Sequence, residues 1–314
     1  MTRSFLITGC GGDIALSIAS ILRDSLPSAR LVGADIHDRH PGCLVYDSVT
    51  QLPRADNRKY LQSLRSLIND EAIDVLLPTS EAELSRLFAE QIDERLDKAT
   101  VVMANRKALE VGLDKKRTYE TLAEAGLPRP WTHRVGDSPP REVPCIIKAR
   151  HSQGSKSVAI VEEPLVAYYR NFRPDDIFQE YLSEEDAEFT CGLFRASGMT
   201  RSISFQRVLN GGTTGYGVVV HDEVIDALLV QVADAIDLEG SINVQLRLSS
   251  QDPVIFEINP RFSSTVAFRH HLGFKDLLWS IEAIDRLPLS EYRAPPEGTQ
   301  IFRGSKEYIM PPQN

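Results

Sequence analysis

The stretch that decides the fold of this protein is SINVQLRLSSQDPVIFEINPRFSSTVAF, residues 241–268. Polar and apolar side chains alternate in both of its hydrophobic runs, which is the pattern of a β-strand with one polar and one apolar face. The polar positions are Asn243, Gln245, Arg247, Glu257 and Asn259. The residues between the runs predict a hairpin centred on Gln251.

This predicted hairpin brings hard oxygen ligands together on one face. Its register places Gln245 opposite Glu257 and Asn243 opposite Asn259, with Cβ atoms about 5 Å apart. Amide and carboxylate oxygens suit Mg²⁺ held jointly with nucleotide phosphates. The alternative is an ordinary solvated face, but such faces usually carry Lys, Glu and Thr. We therefore predict a metal site at Gln245, Glu257 and Asn259, followed by the guanidinium of Arg261.

Two lysines point to an anion. Lys148 interrupts CIIKA, an otherwise apolar predicted strand, and a buried ammonium needs a partner such as phosphate. A lysine that extends to solvent from an edge strand is an equally good explanation. Lys115 opens a predicted helix, where a cation opposes the helix dipole unless an anion lies nearby. The loop after Lys148, which contains Gly154 and Ser155, offers backbone amides for phosphates.

Two further segments are ambiguous from the residues alone. FQEYLSEEDAEFT, residues 178–190, could form a purine hinge, but the residues alone favour an ordinary acidic hairpin. TGCGGDIA, residues 8–15, with Asp35 at the end of the next predicted strand, partly matches a dinucleotide-binding turn. The third glycine of that motif is replaced by Ile14, so we favour a packing role for the glycines.

Secondary-structure patterns divide the chain. Strands alternate with helices over the first hundred residues, which predicts a small parallel α/β domain. A helix near residues 115–125, capped by Asp114 and ended by Gly126, is followed by β-rich segments that predict antiparallel α+β lobes. NGGTTGYG, residues 210–217, predicts a mobile loop that closes over substrate.

Composition excludes several classes of function. The 314 residues carry 35 basic and 44 acidic side chains, a net charge of −9 that disfavours nucleic-acid binding. The apolar runs are far shorter than the roughly 20 residues that a membrane span needs. No signal peptide is recognisable, and Cys10, Cys43, Cys145 and Cys191 form no CxxC pair. We expect a cytoplasmic protein with buried free thiols, without a zinc site or disulfides.

Taken in order, these segments resemble the ATP-grasp superfamily. The likeness is greatest to the ATP-binding half of the large subunit of carbamoyl-phosphate synthetase and to its stand-alone relatives. It rests mainly on INVQ and IFEINPRFSSTVAF, and also on LDKKRTYETLAEAGLPRP, CIIKARHSQGSKSV and FQEYLSEEDAEFT. It extends from residue 4 to about residue 285.

The resemblance implies an α/β plus α+β fold, in which a Rossmann-like parallel sheet precedes a two-lobed ATP-grasp fold. The implied domains are a pre-ATP-grasp domain at 1–104, an N-terminal lobe at 105–172 and a C-terminal lobe with the metal site at 173–314.

The resemblance also implies roles for individual residues. The implied ATP contacts are Lys115, Lys148, Gly154, Ser155, Glu180, Tyr181, Leu182 and Glu188, with Glu188 on the ribose. The implied metal ligands are Gln245, Glu257 and Asn259. Catalysis would fall to Lys148, to Arg261 at the transferring phosphoryl group or acyl phosphate, and to Arg207 as a second anion contact.

The implied activity is that of an ATP-dependent carboxylate–amine ligase, which forms an acyl phosphate and releases ADP. Its cofactors would be ATP and Mg²⁺, with Mn²⁺ as the alternative metal. Its substrates would be a small carboxylate and a small amine, with no nucleic acid or membrane as partner, and a homodimer is common in such folds.

Other functions remain open at this point. One is a carbamoyl-phosphate-synthetase-like enzyme or fragment that phosphorylates bicarbonate or carbamate, although 314 residues have room for one ATP-grasp unit only. The others are a non-catalytic nucleotide-binding subunit and an NAD-dependent oxidoreductase.

Overall fold

The computed structural model describes residues 3–151, 158–183, 185–250 and 252–309. By its internal contacts the chain forms two compact units. The first unit comprises Met1–Arg106, Arg261–Pro295 and Phe302–Asn314. The second unit comprises Lys107–Pro260 and Pro296–Ile301.

The helices and strands follow one another along the chain as predicted, with a few additional short elements. The helices are α1 (Asp13–Ser25), α2 (Tyr60–Asp70), α3 (Glu81–Ala89), α4 (Arg106–Leu113), α5 (Lys115–Glu124), α6 (Glu163–Phe172), α7 (Glu223–Ala235), α8 (Val266–His271) and α9 (Asp276–Ile284). The first nine strands are β1 (Ser4–Thr8), β2 (Arg30–Asp35), β3 (Ser48–Gln51), β4 (Val75–Leu77), β5 (Arg95–Leu96), β6 (Ala99–Val101), β7 (Thr132–Arg134), β8 (Cys145–Lys148) and β9 (Ala159–Val161). The others are β10 (Ile177–Glu180), β11 (Glu188–Ala196), β12 (Met199–Asn210), β13 (Thr213–Val220), β14 (Gly240–Ser249), β15 (Asp252–Asn259) and β16 (Gln300–Phe302).

The first unit is built on a six-stranded sheet in the order β3-β2-β1-β4-β6-β5. Its strands pair in parallel except for the short β5, which runs antiparallel to β6. Every residue of β1 is buried, as expected for the centre of a parallel sheet that is covered on both faces. The predicted parallel α/β domain is therefore confirmed.

A later part of the chain completes the core of this unit. Phe262, Val266, Leu277 and Ile281 are buried in the same hydrophobic cluster as residues of β1 and α1. The three-domain division inferred from the sequence had grouped these residues with the C-terminal lobe. The difference arises because α8 packs against α1 and α9 packs against α8.

The second unit contains two antiparallel sheets, in the orders β7-β10-β8-β9 and β15-β14-β11-β12-β13-β16. The predicted antiparallel α+β character is confirmed. The segment expected to be a mobile loop is a hairpin instead, because β13 begins at Thr213 and pairs with β12. Gly211 and Gly212 form its turn, and both have a positive φ, which glycine adopts without strain.

Two expectations about the chemistry of the chain can be compared with the structure. All four cysteines are free thiols, and three of them are buried. Within the described ranges, no helix combines the length and the apolar character that a bilayer crossing requires.

Candidate functional site

The hairpin formed by β14 and β15 has the register that the sequence predicts at its functional end. Gln245 lies opposite Glu257 and Asn243 lies opposite Asn259. Near the turn, however, the pairing is shifted by one residue, so that Leu246 lies opposite Ile255 and Phe256 has no partner in the register. Phe256 is therefore the extra residue of a β-bulge, a feature that often redirects groups beside functional sites.

The bulge supplies an acceptor for Lys148. The carbonyl oxygen of Phe256 accepts hydrogen bonds from Nζ of Lys148, at 3.1 Å, and from the hydroxyl of Tyr119, at 2.6 Å. Nζ also donates to the Tyr119 hydroxyl, at 3.1 Å. Lys148 at the end of β8 is thus a buried lysine that polar groups solvate, and not one that extends to solvent.

Burial lowers the pKa of Lys148 to about 7, with the charge of Glu257 raising it and that of Lys115 lowering it further. Burial also raises the pKa of Tyr119 well above its usual value, so its hydroxyl keeps its proton and donates to Phe256. Gln179 on the neighbouring strand β10 donates to both Tyr119 and Thr132. These contacts fix the hydroxyl that holds Lys148.

Lys115 has the anion that its position at a helix N-terminus requires. Its Nζ lies 4.0 Å from Oε1 of Glu257. The preceding residue, Asp114, caps α5 by accepting from the backbone N–H groups of Lys116 and Arg117. The predicted cap is therefore confirmed.

Asp114 also joins α5 to the segment that follows β8. Nε and Nη2 of Arg150 donate to its two carboxylate oxygens at 2.8 and 2.6 Å. The backbone N–H of Lys115 donates to the carbonyl oxygen of Arg150 at 3.2 Å. This link explains how two lysines that are distant in sequence reach the same part of the second unit. The predicted phosphate-loop residues Gly154 and Ser155 lie outside the described residues.

Glu188 is held by two arginines. Its Oε1 accepts from Nε and Nη2 of Arg207 at 2.9 and 2.6 Å, and its Oε2 accepts from Nε and Nη2 of Arg247 at 3.2 and 2.6 Å. All three side chains are at most 18% exposed. Arg207 also donates to Oε1 of Gln245, so this cluster reaches the hairpin. A carboxylate has about four lone pairs, and these four guanidinium hydrogen bonds occupy them, so a further hydroxyl would have to displace one of these donors.

We predict that Glu188→Gln destabilises the protein by about 3–5 kcal/mol, because it leaves two largely buried guanidinium groups without their anion. Urea unfolding at neutral pH would measure the change. Glu291→Gln is the matched control, since Glu291 pairs with Arg293 where the side chains are 73% and 84% exposed. That control should change stability by less than about 1 kcal/mol. Equal effects in the two variants would contradict a structural role for the cluster.

The predicted purine hinge is tied to its surroundings by both backbone and side chain. The N–H of Glu180 donates to the carbonyl oxygen of Trp131 at 2.9 Å, and the Glu180 carboxylate accepts from the N–H of Trp131 at 3.0 Å. The carbonyl oxygen of Leu182 accepts from Nη1 of Arg247 at 3.0 Å. Tyr181 lies between them and is partly exposed. The contacts fix the hinge backbone beside the cluster around Glu188.

The donor set on the hairpin fits a hard cation. Gln245, Glu257 and Asn259 offer two amide oxygens and a carboxylate on one face, which are ligands that Mg²⁺ accepts. Asn243 has a different role: it is 1% exposed and its Oδ1 accepts from the hydroxyl of Thr190 at 3.0 Å.

Arg261 follows the hairpin in the chain and belongs to the first unit. Its Nη2 lies 3.3 Å from Oε1 of Glu81, and both side chains are 11% exposed. Nε of Arg261 is buried and makes no hydrogen bond to any residue that the structure describes. Arg261 is therefore paired with a carboxylate, and its Nε is a buried donor without an acceptor among the described residues.

The N-terminal glycine turn has a packing role. A Cβ atom on Gly11 would lie 2.6 Å from Cβ of His40. The carboxylate of Asp35 accepts from the backbone N–H groups of Gly11 and His37, both at 3.0 Å. A side chain at position 11 would thus collide with His40, which favours the packing interpretation of the glycines.

Sequence reasoning did not assign a role to three residues of this site. Tyr119 lies four residues after Lys115 on the same helix face, and Arg247 lies two residues after Gln245 on the same strand face. These spacings could have revealed both. Arg150 could not have been found in this way, since only the fold places it beside Asp114.

Two family models match the chain. Residues 113–265 match the ATP-grasp domain, and residues 5–103 match the N-terminal domain of PylC-like proteins. No curated protein matches the sequence.

Several solved structures share the fold. The chain is similar to an N5-carboxyaminoimidazole synthetase from Staphylococcus aureus complexed with ADP, with a TM-score of 0.71, 16% identity and coverage of 92% of this chain and 79% of that one. It is also similar to an L-amino acid ligase from Bacillus licheniformis, with a TM-score of 0.68, 14% identity and coverage of 90% of this chain and 74% of that one. A third similar structure is a biotin carboxylase from Campylobacter jejuni, in a complex described as β-γ-ATP. Its TM-score is 0.70, with 13% identity and coverage of 93% of this chain and 72% of that one. At these identities the likeness shows the fold alone, and the predicted fold class is confirmed.

Proposed function

Because the chain belongs to the ATP-grasp superfamily, we propose that it is an ATP-dependent carboxylate–amine ligase that forms an acyl phosphate and releases ADP. The observation that carries the proposal is the group formed by Glu257, Lys115 and Lys148. A carboxylate lies 4.0 Å from one lysine, and a second lysine is buried beside the same strand. Such an arrangement of a metal-binding oxygen and two ammonium groups suits the phosphates of a nucleotide.

The residues divide the binding of ATP between them. Lys115 and Lys148 contact the phosphates, with the backbone of Gly154 and Ser155. Glu180, Tyr181 and Leu182 contact the adenine, and Glu188 contacts the ribose. Gln245, Glu257 and Asn259 hold Mg²⁺, with Mn²⁺ as the alternative. When bound, the metal neutralises phosphate charge.

The reaction has two steps. A substrate carboxylate oxygen attacks the γ-phosphorus, the bond to the β-γ bridging oxygen breaks, and ADP leaves. The amine then attacks the carbonyl carbon of the acyl phosphate, inorganic phosphate leaves, and the amine gives up a proton. Lys148, Arg207 and Arg261 offset negative charge as the phosphoryl group moves, which is the main way that proteins accelerate this chemistry.

The substrates are a small carboxylate and a small amine, neither a nucleic acid nor a membrane. We also propose a cytoplasmic protein, on the basis of its free thiols. The closer likeness to carbamoyl-phosphate synthetase and the homodimer stay predictions.

The proposal is tested by measuring ADP release with Mg-ATP and pairs of small carboxylates and amines. A carboxylate substrate labelled with ¹⁸O should transfer one label to inorganic phosphate. The carboxylate oxygen that attacks the γ-phosphorus stays bonded to phosphorus when phosphate leaves the carbonyl carbon. ADP release that needs the carboxylate but transfers no label would overturn the acyl-phosphate step. ADP release that depends on bicarbonate alone would favour the carbamoyl-phosphate-synthetase-like alternative, and nucleotide binding without any turnover would favour a binding subunit.

A further inference from the structure

Three potential metal ligands meet in the first unit, outside the site described above. The ligand atoms of Cys10, Asp35 and His40 all lie within 4.8 Å of one another. Cys10 follows β1 and Asp35 ends the adjacent parallel strand β2. The cluster therefore lies at the carboxyl edge of the sheet, where open α/β sheets bind their ligands.

The backbone holds the imidazole of His40 beside the thiol of Cys10. Sγ of Cys10 lies 3.8 Å from Nε2 of His40. A Cβ atom on Gly42 would lie 2.8 Å from Nδ1 of His40 and 2.7 Å from the carbonyl oxygen of Cys10. A Cβ atom on Gly11 would overlap with the same imidazole. The imidazole of His40 therefore fits in this place only because residues 11 and 42 are both glycine.

The carboxylate of Asp35 is oriented by the backbone. Each of its oxygens accepts one N–H, from Gly11 and from His37. Such outer hydrogen bonds are typical of carboxylates that bind metals, and each oxygen keeps a lone pair for a cation. A cysteine nucleophile with a histidine base needs a third group to orient the histidine, but the described hydrogen bonds of Asp35 do not include one from His40. Cys10 is also 0% exposed. The arrangement therefore does not suit a catalytic cysteine.

The separation of Sγ of Cys10 and Nε2 of His40, 3.8 Å, fits zinc. Bonds of about 2.3 Å to sulfur and about 2.1 Å to nitrogen, at a tetrahedral angle, place the two ligand atoms about 3.6 Å apart. We propose that Cys10, Asp35 and His40 bind one Zn²⁺ ion. The thiol gives up its proton to solvent on binding, and the thiolate and carboxylate together balance the charge of the cation. Three protein ligands leave a fourth position for water or for a polar group of a small molecule.

The cysteine spacing gives no sign of this site, because Cys10 and the pair Asp35 and His40 come from two separate segments of the chain. The site is also independent of the proposed Mg²⁺ site, whose ligands are oxygens of the second unit.

Co²⁺ is the probe, since a cobalt–thiolate bond gives a charge-transfer band that oxygen ligands do not. We expect the full chain to bind one equivalent of Co²⁺ with this band and to lose the band on addition of Zn²⁺. Cys10→Ser should abolish the band. Cys43→Ser is the matched control and should keep the band. Cys43 lies three residues after His40, but its thiol donates to the carbonyl oxygen of Asp38.

A second pair of variants keeps the test decisive if Cys10→Ser fails to fold. His40→Ala should weaken Co²⁺ binding at least tenfold, whereas His37→Ala, which alters an exposed side chain nearby, should leave it unchanged. Glu257→Gln should also keep the band. The proposal is overturned if the wild-type chain shows no thiolate band, if the band survives in Cys10→Ser, or if His40→Ala binds Co²⁺ as tightly as His37→Ala.

Discussion

Glu257→Gln should abolish the Mg²⁺-dependent stabilisation of this protein by ADP and lower ATP turnover by about 10²–10³-fold. Glu257 carries the single negative charge among the three proposed metal ligands, since Gln245 and Asn259 are neutral amides. The substitution preserves the shape of the side chain but removes that charge. It also removes the anion that lies 4.0 Å from Nζ of Lys115.

Thermal unfolding measures the first effect. ADP with Mg²⁺ at 100 times its dissociation constant should stabilise the wild-type protein by about 2.7 kcal/mol, and a chelator should remove most of this gain. In Glu257→Gln, the unfolding temperature with ADP should be the same with and without Mg²⁺.

The matched control is Asp252→Asn, which removes an exposed carboxylate from the same strand, β15. This variant should keep the full Mg²⁺ dependence. If Glu257→Gln also keeps it, the polar face of the hairpin is not the metal site.

Lys148→Met should lower ATP turnover by about 10²–10³-fold, because it removes a buried positive charge from the proposed phosphate site. It should also change how stability depends on pH. An unfolded lysine keeps its proton up to about pH 10.4, whereas burial lowers the pKa of Lys148 to about 7 in the folded protein.

The sign follows from proton counting. Between about pH 7 and pH 10 the unfolded state binds one proton more than the folded state, so Lys148 makes wild-type stability rise with pH by up to about 1.4 kcal/mol per unit. Below about pH 7 both states are protonated, and the penalty for burying the charge is constant. Lys148→Met lacks this contribution, so the stability of the wild type relative to the variant should increase from pH 7 to pH 10.

Urea unfolding of both proteins at several pH values would measure this difference. Lys116→Met, which removes a more exposed lysine from the first turn of α5, is the matched control and should follow the wild type. A wild-type protein whose stability relative to Lys148→Met stays constant with pH would show that Lys148 remains charged in the folded state.

A bound nucleotide should raise the pKa of Lys148 again, because phosphate oxygens favour the ammonium form. The bulge makes this change possible. The carbonyl oxygen of Phe256 and the Tyr119 hydroxyl can accept from Lys148 whether or not the lysine carries its extra proton. The same lysine is thus tolerated in a buried position before phosphate arrives.

Local patterns in the sequence were sufficient for much of the fold. Period-two alternation identified β14 and β15, and Asp114 with Gly126 bounded α5, because these signals depend on neighbouring residues only. The order of strands and helices likewise identified the parallel sheet of the first unit.

The predicted pairing of Gln245 with Glu257 illustrates the limit of such reasoning. A uniform hairpin centred on Gln251 gives this pair. Near the turn, however, the register is shifted by one residue from that hairpin, so that Leu246 pairs with Ile255. The extra residue at the bulge, Phe256, restores the expected register beyond it. Without the bulge, Gln245 would face Phe256. The sequence predicted the pair and not the irregularity on which it depends.

The sequence by itself determined the strands, the helix caps and the chemical character of the ATP-grasp segments, because hydrophobic period and capping act over a few residues. Only the tertiary structure decided that α8 and α9 complete the first core, that Arg150 joins Lys115 to the β8 segment, and that His40 lies against Cys10. Those contacts join segments that are distant in the chain. Their formation depends on shape and charge complementarity across the whole fold, which no local pattern contains.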